Sequence, residues 1–149
     1  MRLVALDRDG PDLAAVRAIC ATGRAGELLD RALAGTPECQ ARVALAADGS
    51  VAGFALSGLV AGALGTAALL WVAVAAGRRR RGIGGQLVAD ALGRLAAGGA
   101  RLAVAELAED PGAAAAVALL AAAGFEREAV VPDFYRDGVP LSLWRRPLR

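Results

Sequence analysis

The chain has 149 residues, a net charge of +2, and no Lys, His or Asn, so all 17 of its basic side chains are Arg. That length admits one domain with a proper core, and residues 1–149 are read as a single domain. The small charge leaves no nucleic-acid footprint, and the absence of His, of a Cys cluster and of a carboxylate ladder removes metal sites, along with any Ser–His–Asp triad around Ser50, Ser57 or Ser142.

Residues 1–6 are too short for a secretory leader and run at once into Asp7, Arg8 and Asp9, which predicts a cytoplasmic protein. Residues 3–6 read as a first strand. Asp9-Gly10-Pro11 starts a helix through about Ala21, with Leu13, Val16, Ala18 and Ile19 inward. A second short helix covers 26–34 and ends at Gly35-Thr36-Pro37. Cys20 and Cys39 lack C-x-x-C spacing and read as reduced thiols. Strands follow at 41–47, 51–59 and 67–74, with Asp48-Gly49 as a hairpin turn.

Residues 49–77 carry no charge, place Gly58 and Gly62 in G-x-x-x-G spacing, and precede Arg78 to Arg81. A membrane helix with a positive flank is the rival reading. Gly53, Ser57, Gly58, Gly62, Gly65 and Thr66 dilute such a span, and two buried strands joined by a small-residue turn fit it better. No membrane partner is expected. A helix at 83–97 then has apolar residues at 83, 87, 88, 91, 92 and 95, closed by Gly98-Gly99. Residues 101–106 form a strand, Asp110-Pro111 caps an Ala-rich helix that stops at Gly124, and strands at 125–131 and 139–144 complete the sheet. Strands and helices alternate only in the second half, so the class is α+β with a mixed sheet.

Arg79-Arg80-Arg81-Gly82-Ile83-Gly84 joins the buried strand to the helix. Such a turn aims free backbone N–H groups and the positive end of the helix dipole at one small volume, and a diphosphate fits there. A P-loop needs a Lys that the chain lacks. A dinucleotide fingerprint needs a small residue at position 87, which is Leu, and Glu106 lies only loosely where its acidic residue belongs. The pattern R-x-x-G-x-G fits best.

The segment "VAVAAGRRRRGIGGQLVADAL" resembles the acetyl-CoA-binding motif of the GNAT superfamily of N-acetyltransferases, and "RLAVAELAEDPGAAAAVALLAAAGFERE" and "VPDFYRDGVPLSLWRRPL" are similar to that family's next strand, helix and final hairpin. The resemblance covers roughly residues 66–147. It implies a mostly antiparallel sheet of about seven strands flanked by about four helices, splayed between the fourth and fifth strands. It implies acetyl-CoA as co-substrate, with the pantetheine arm on the backbone of Val72 and Val74 and the diphosphate on the N–H groups of Arg79, Arg80, Arg81, Gly82, Ile83, Gly84 and Gly85. The side chains of Arg78, Arg80 and Arg81 either reach the phosphates or stay as solvated charge.

The chain departs from the family at two positions: Ala113 stands where an Asn is common and Leu120 where a Tyr commonly protonates the leaving thiolate. A thiol with pKa about 8.5 is a fair leaving group without help. Tyr135, the only tyrosine, lies in the final hairpin and either acts as the acid, packs, or lines the acceptor pocket. An acceptor amine with pKa near 10 must lose a proton, and without His the base is a carboxylate or water. Glu106 is the first candidate, Glu109 and Asp110 the next. The expected activity is acetyl transfer to a primary amine of a small molecule or peptide, in an assembly compatible with a homodimer. The alternative is a catalytically weak acyl-CoA-binding module of the same fold.

Overall fold

Two charge-free segments occupy the middle of the sheet, which is where strands covered on both faces belong. The computed structural model describes residues 1–20 and 23–149. Among the described residues, the first two strands and helices are β1 (Arg2–Ala5), α1 (Leu13–Ile19), α2 (Gly23–Leu33) and β2 (Gln40–Leu45). Then come β3 (Val51–Leu59), β4 (Thr66–Val74), α3 (Ile83–Ala97) and β5 (Leu102–Ala108). The chain closes with α4 (Ala114–Ala122), β6 (Glu126–Arg136) and β7 (Val139–Pro147). The sheet order is β1-β2-β3-β4-β5-β7-β6. Among the described residues, only the β4–β5 pair is parallel.

Each face of the central strands has its own cover. Val16 of α1 and Leu28 and Leu29 of α2 pack on Val43, Phe54 and Leu56. On the opposite face, Ile83 and Leu87 of α3 meet Ala44, Ala52 and Ala55. Further along that face, Val88 and Leu92 of α3 and Leu120 of α4 bury Ala103, Ala105 and Trp144.

The membrane reading is replaced by the two strands β3 and β4, and among the described residues no helix is long and apolar enough to cross a membrane. The two glycines behind that reading have separate causes. A Cβ at Gly58 would overlap the Glu38 carbonyl, and Gly62 takes the left-handed conformation (φ +81) that the β3–β4 turn requires.

Several boundaries differ from expectation. Residues 8–12 form turns, α1 starts only at Leu13, and Ala18 is exposed rather than inward. The expected end of that helix at Ala21 lies outside the described residues. The second helix starts earlier, at Gly23. Asp110 does not cap α4: its Oδ1 accepts from the Gly112 N–H at 2.9 Å, closing a local turn, and the helix begins at Ala114. Both cysteines are free thiols, and the Cys39 thiol donates to the Leu28 carbonyl at 3.1 Å.

One ion pair ties α3 to the sheet. Arg42 of β2 donates from Nε to Asp90 of α3 at 2.8 Å and from Nη2 to the Leu3 carbonyl at 2.9 Å, and Arg94 adds a contact to Asp90 at 3.3 Å. Burial raises the Asp90 pKa, but the Arg42 hydrogen bond and charge, then Arg94, outweigh it and hold the carboxyl below its ordinary value. A depressed carboxyl stabilises fully above the unfolded value near 4, and that stabilisation is lost as pH falls through the folded value. Asp90→Ala is expected to lower stability at pH 7 by about 3 kcal/mol in urea titrations, because it strands the Arg42 charge. The loss should shrink as pH drops below about 4; an equally stable variant at pH 7 would show that the pair does not hold α3.

Candidate active site

β4 carries an extra residue. Leu56 faces Trp71 while the next residue, Ser57, faces Leu69, so Leu70 is a bulge. The alternation of side chains shifts there. Leu69 packs with α3 and α4, whereas beyond the bulge Trp71 and Ala73 join the α1–α2 core and Val72 and Val74 turn to α3. β4 and β5 pair only where residues 66–68 meet residues 102–104. Past Val104, β5 is bonded to β7 alone. A wedge therefore opens between the two strands just after the bulge.

The register decides which backbone groups face that wedge. The Ala75 N–H donates to the Ala52 carbonyl at 2.8 Å and Ala73 lies opposite Phe54, so residues 71, 73 and 75 turn their polar groups toward β3. Val72 and Val74 turn theirs into the wedge. The Val74 carbonyl there accepts from Arg79 Nε at 3.4 Å.

The turn that follows leaves its donors open. Gly82 (φ +76, ψ 8) is the N-cap of α3 and no side chain caps the helix. The first intrahelical bond runs from the Gln86 N–H to the Gly82 carbonyl at 3.1 Å, so the N–H groups of Ile83, Gly84 and Gly85 have no intrahelical acceptor. Gly84 sits where helix and wedge meet: a Cβ there would lie 3.6 Å from Leu119 and 3.8 Å from Val74. Arg80 holds φ 63, a left-handed conformation rare for a residue with a Cβ.

The four arginines are not equivalent. Arg78 donates from Nη2 to Ser50 Oγ at 2.6 Å and to Asp48 at 3.5 Å, which anchors it to the β2–β3 hairpin and away from the turn. Hydrogen bonds from Ser50, then the Arg78 charge, hold the Asp48 carboxyl below its usual range. Arg79 lies on Val74, while the side chains of Arg80 and Arg81 are exposed and have no partner among the described residues.

The candidate bases and acid separate as clearly. Ala105 and Leu107 pack under α3 and α4, so Glu106 between them projects from the opposite face of the sheet, beside the wedge and exposed. Glu109 is held by Arg127 Nη2 at 2.6 Å, with the Arg127 guanidinium 5.3 Å from the Trp144 ring centre. Asp110 is occupied by its own turn. Tyr135 is exposed and meets Phe134 edge-on at 5.0 Å. Burial, then the Glu106 carboxylate, pushes its phenol above the ordinary value, against an opposing pull from Arg24. Glu106, Tyr135 and Arg24 thus share one neighbourhood. Leu120 is buried in the α3–α4 core beside Phe125 and Trp144, and Ala113 is buried at the N-cap of α4.

Sequence reasoning missed the bulge, Arg24 and the anchoring of Arg78. Only the bulge had a signal: three bulky apolar residues in succession, Leu69-Leu70-Trp71, break strand alternation.

Comparison with known proteins follows the same lines. A GNAT-family protein from Desulfovibrio desulfuricans is 28% identical, with 99% of each chain covered and a TM-score of 0.86. A Bacillus subtilis acetyltransferase in complex with CoA shares the fold at 18% identity, 99% of each chain and TM-score 0.80. An aminoglycoside 6′-N-acetyltransferase from Enterococcus faecium does so at 17% identity, 100% of this chain and 98% of its own, and TM-score 0.81. The search of curated proteins gave no match. Residues 13–125, most of the chain, match the acetyltransferase (GNAT) family. The wedge in the sheet, the open amides at the start of α3 and this match agree, and the chain belongs to the GNAT acetyltransferase family.

Proposed function

We propose that residues 1–149 form one catalytic domain that moves the acetyl group of acetyl-CoA to a primary amine. The observation that carries this reading is the wedge, whose one wall offers the Val72 and Val74 backbone, unpaired to any strand, and whose rim offers the free N–H groups of Ile83, Gly84 and Gly85. The pantetheine arm, an extended amide chain, adds to β4 like a strand. The diphosphate rests on the α3 amides, assisted by the free Arg80 and Arg81 side chains. Arg79 would release Val74 to the arm.

The acetyl group then lies in the wedge, between the α3–α4 face that holds the donor and the opposite face that carries Glu106. Glu106 attracts the cationic acceptor and takes the ammonium proton, directly or through water, and passes it to solvent. The neutral nitrogen attacks the thioester carbonyl carbon, and a backbone N–H of β4 facing the wedge stabilises the developing oxyanion. The carbon–sulfur bond breaks, the sulfur takes a proton from the Tyr135 hydroxyl, and the nitrogen gives up its second proton to solvent, which restores the phenol. The products are the acetylated amine and CoA. The family and the CoA-bound and aminoglycoside-acetylating neighbours support an amine acceptor of this kind.

Leu120 in the core and Ala113 at the α4 cap favour the second reading, a weak acyl-CoA-binding module, and thiol release across an amine panel decides between them.

Gly84→Glu, and Gly82→Glu likewise, is expected to abolish the thermal stabilisation that CoA gives the wild type, because a carboxylate enters the phosphate position; retention of that shift would misplace the site. Glu106→Gln should lower kcat/KM for the amine on the order of 10²-fold at neutral pH and much less at alkaline pH, with KM for acetyl-CoA unchanged. Tyr135→Phe should cost roughly tenfold or more in kcat. Because the Tyr135 phenol is pushed up, it stays protonated through the ordinary tyrosine value, and wild-type kcat/KM should show no falling limb below about pH 10. An early fall that Tyr135→Phe does not alter would remove Tyr135 from the reaction.

A further inference from the structure

α2 lies over the face of the sheet from which Glu106 projects, opposite α3 and α4. Its inner side is marked by Leu28, which packs into the core that also holds Trp71 of β4 beyond the bulge. Arg24 stands one turn before Leu28 on that same side of the helix, and its side chain is exposed. The helix itself gives no reason for a cation there, because a positive charge in the first turn opposes the macrodipole. The Arg24 guanidinium has no hydrogen-bond or ion-pair partner among the described residues.

Glu106 is equally unpaired among the described residues. Leu143 of β7 stands opposite it on the same face of the sheet. The exposed rings of Phe134 and Tyr135 flank this ground from the β6–β7 hairpin. Both charges act on the Tyr135 hydroxyl: burial raises its pKa most, the Glu106 carboxylate adds to the rise, and the Arg24 guanidinium opposes it. Yet the carboxylate and the guanidinium form no ion pair with each other. One free negative and one free positive group thus border a single aromatic side chain with a gap between them. Such a gap is complementary to a ligand that carries an ammonium and a carboxylate on one carbon, with an apolar group turned to the rings.

We propose that the acceptor is a free α-amino acid with an apolar or aromatic side chain, its carboxylate on Arg24, its ammonium on Glu106 and its side chain against Leu143, Phe134 and Tyr135. The proposal rests on the acetyl-transfer reading and keeps its chemistry. The amino nitrogen bonds to the acetyl carbon and the carbon–sulfur bond breaks. The nitrogen loses one proton through Glu106 and one to solvent, the sulfur takes the Tyr135 proton, and the products are the N-acetyl amino acid and CoA. Arg24 is then the specificity determinant. A peptide N-terminus offers it a neutral amide in place of the carboxylate, and a polyamine brings it a second cation, so both are disfavoured.

Steady-state release of CoA by the full chain tests it, with L-phenylalanine, L-phenylalaninamide and phenethylamine as acceptors. Arg24→Ala should lower kcat/KM for phenylalanine on the order of tenfold or more, the value of one charge-assisted contact, and mostly through KM. The same variant should leave the two acceptors without a carboxylate unchanged, and Arg24→Lys should restore part of the loss. Following each acceptor across the variants cancels the different basicities of the three amines. An equal loss for all three, no loss for any, or turnover of other amines but not of phenylalanine would overturn the amino-acid assignment and leave acetyl transfer in place. No CoA release with these or with any of a broad panel of amines would overturn both.

Discussion

The bulge at Leu70 is the constraint on which the rest depends. Two parallel strands that stayed paired along their length would bury their backbone groups in each other and leave no room for a third chain. One extra residue rotates β4 after its first turn of pairing with β5, and the two strands part. The same rotation reassigns the side chains, sending Trp71 and Ala73 to one core and Val72 and Val74 to the other. An unpaired sheet edge in the middle of a protein is a liability unless something occupies it. On the proposed reading, the pantetheine arm occupies that edge.

The wedge stays open because its surroundings are anchored independently. α3 is fixed by its apolar stripe and by the Arg42–Asp90 pair, not by contact across the gap. The helix starts close to both Val74 and Leu119, which lie 3.6–3.8 Å from where a Cβ of Gly84 would stand. Charge is divided between the two faces of the sheet. Free arginines and unpaired amides gather at the start of α3, whereas Glu106 projects from the other face near Tyr135. On the proposed reading, a polyanionic donor and a cationic acceptor are drawn to opposite sides of one opening, with the reacting carbonyl between them.

Much of this was legible in the sequence because the informative signals are local. The charge-free runs flanked by Asp48-Gly49 and the arginines fixed β3 to the residue and β4 to within one. The apolar stripe of α3 and the glycine after α4 did the same for the extent of α3 and the end of α4, since each records a local need. Signals that depend on distant partners were not legible. Arg78 looks like its neighbours until Asp48 and Ser50 fold beside it. β6 was expected to stop before Pro132, which cannot donate to a ladder; it continues to Arg136 because an edge strand has β7 on one side only. All of β6 is exposed, so it has no burial period to mark its end. Asp110 reads as a helix cap by residue type, and only the preceding turn shows that it bonds Gly112 instead.

The central claim is that main-chain amides facing a wedge in the sheet hold acetyl-CoA. Backbone amide hydrogen exchange, read residue by residue with and without CoA, tests it most directly. In the free protein the Val72, Val74, Ile83, Gly84 and Gly85 amides should exchange fast while Trp71 and Ala73, bonded to β3, are protected. CoA should slow the first five and leave the other two unchanged. Saturating binding that protects none of the five, or Val72 and Val74 amides already protected in the free protein, would contradict the account.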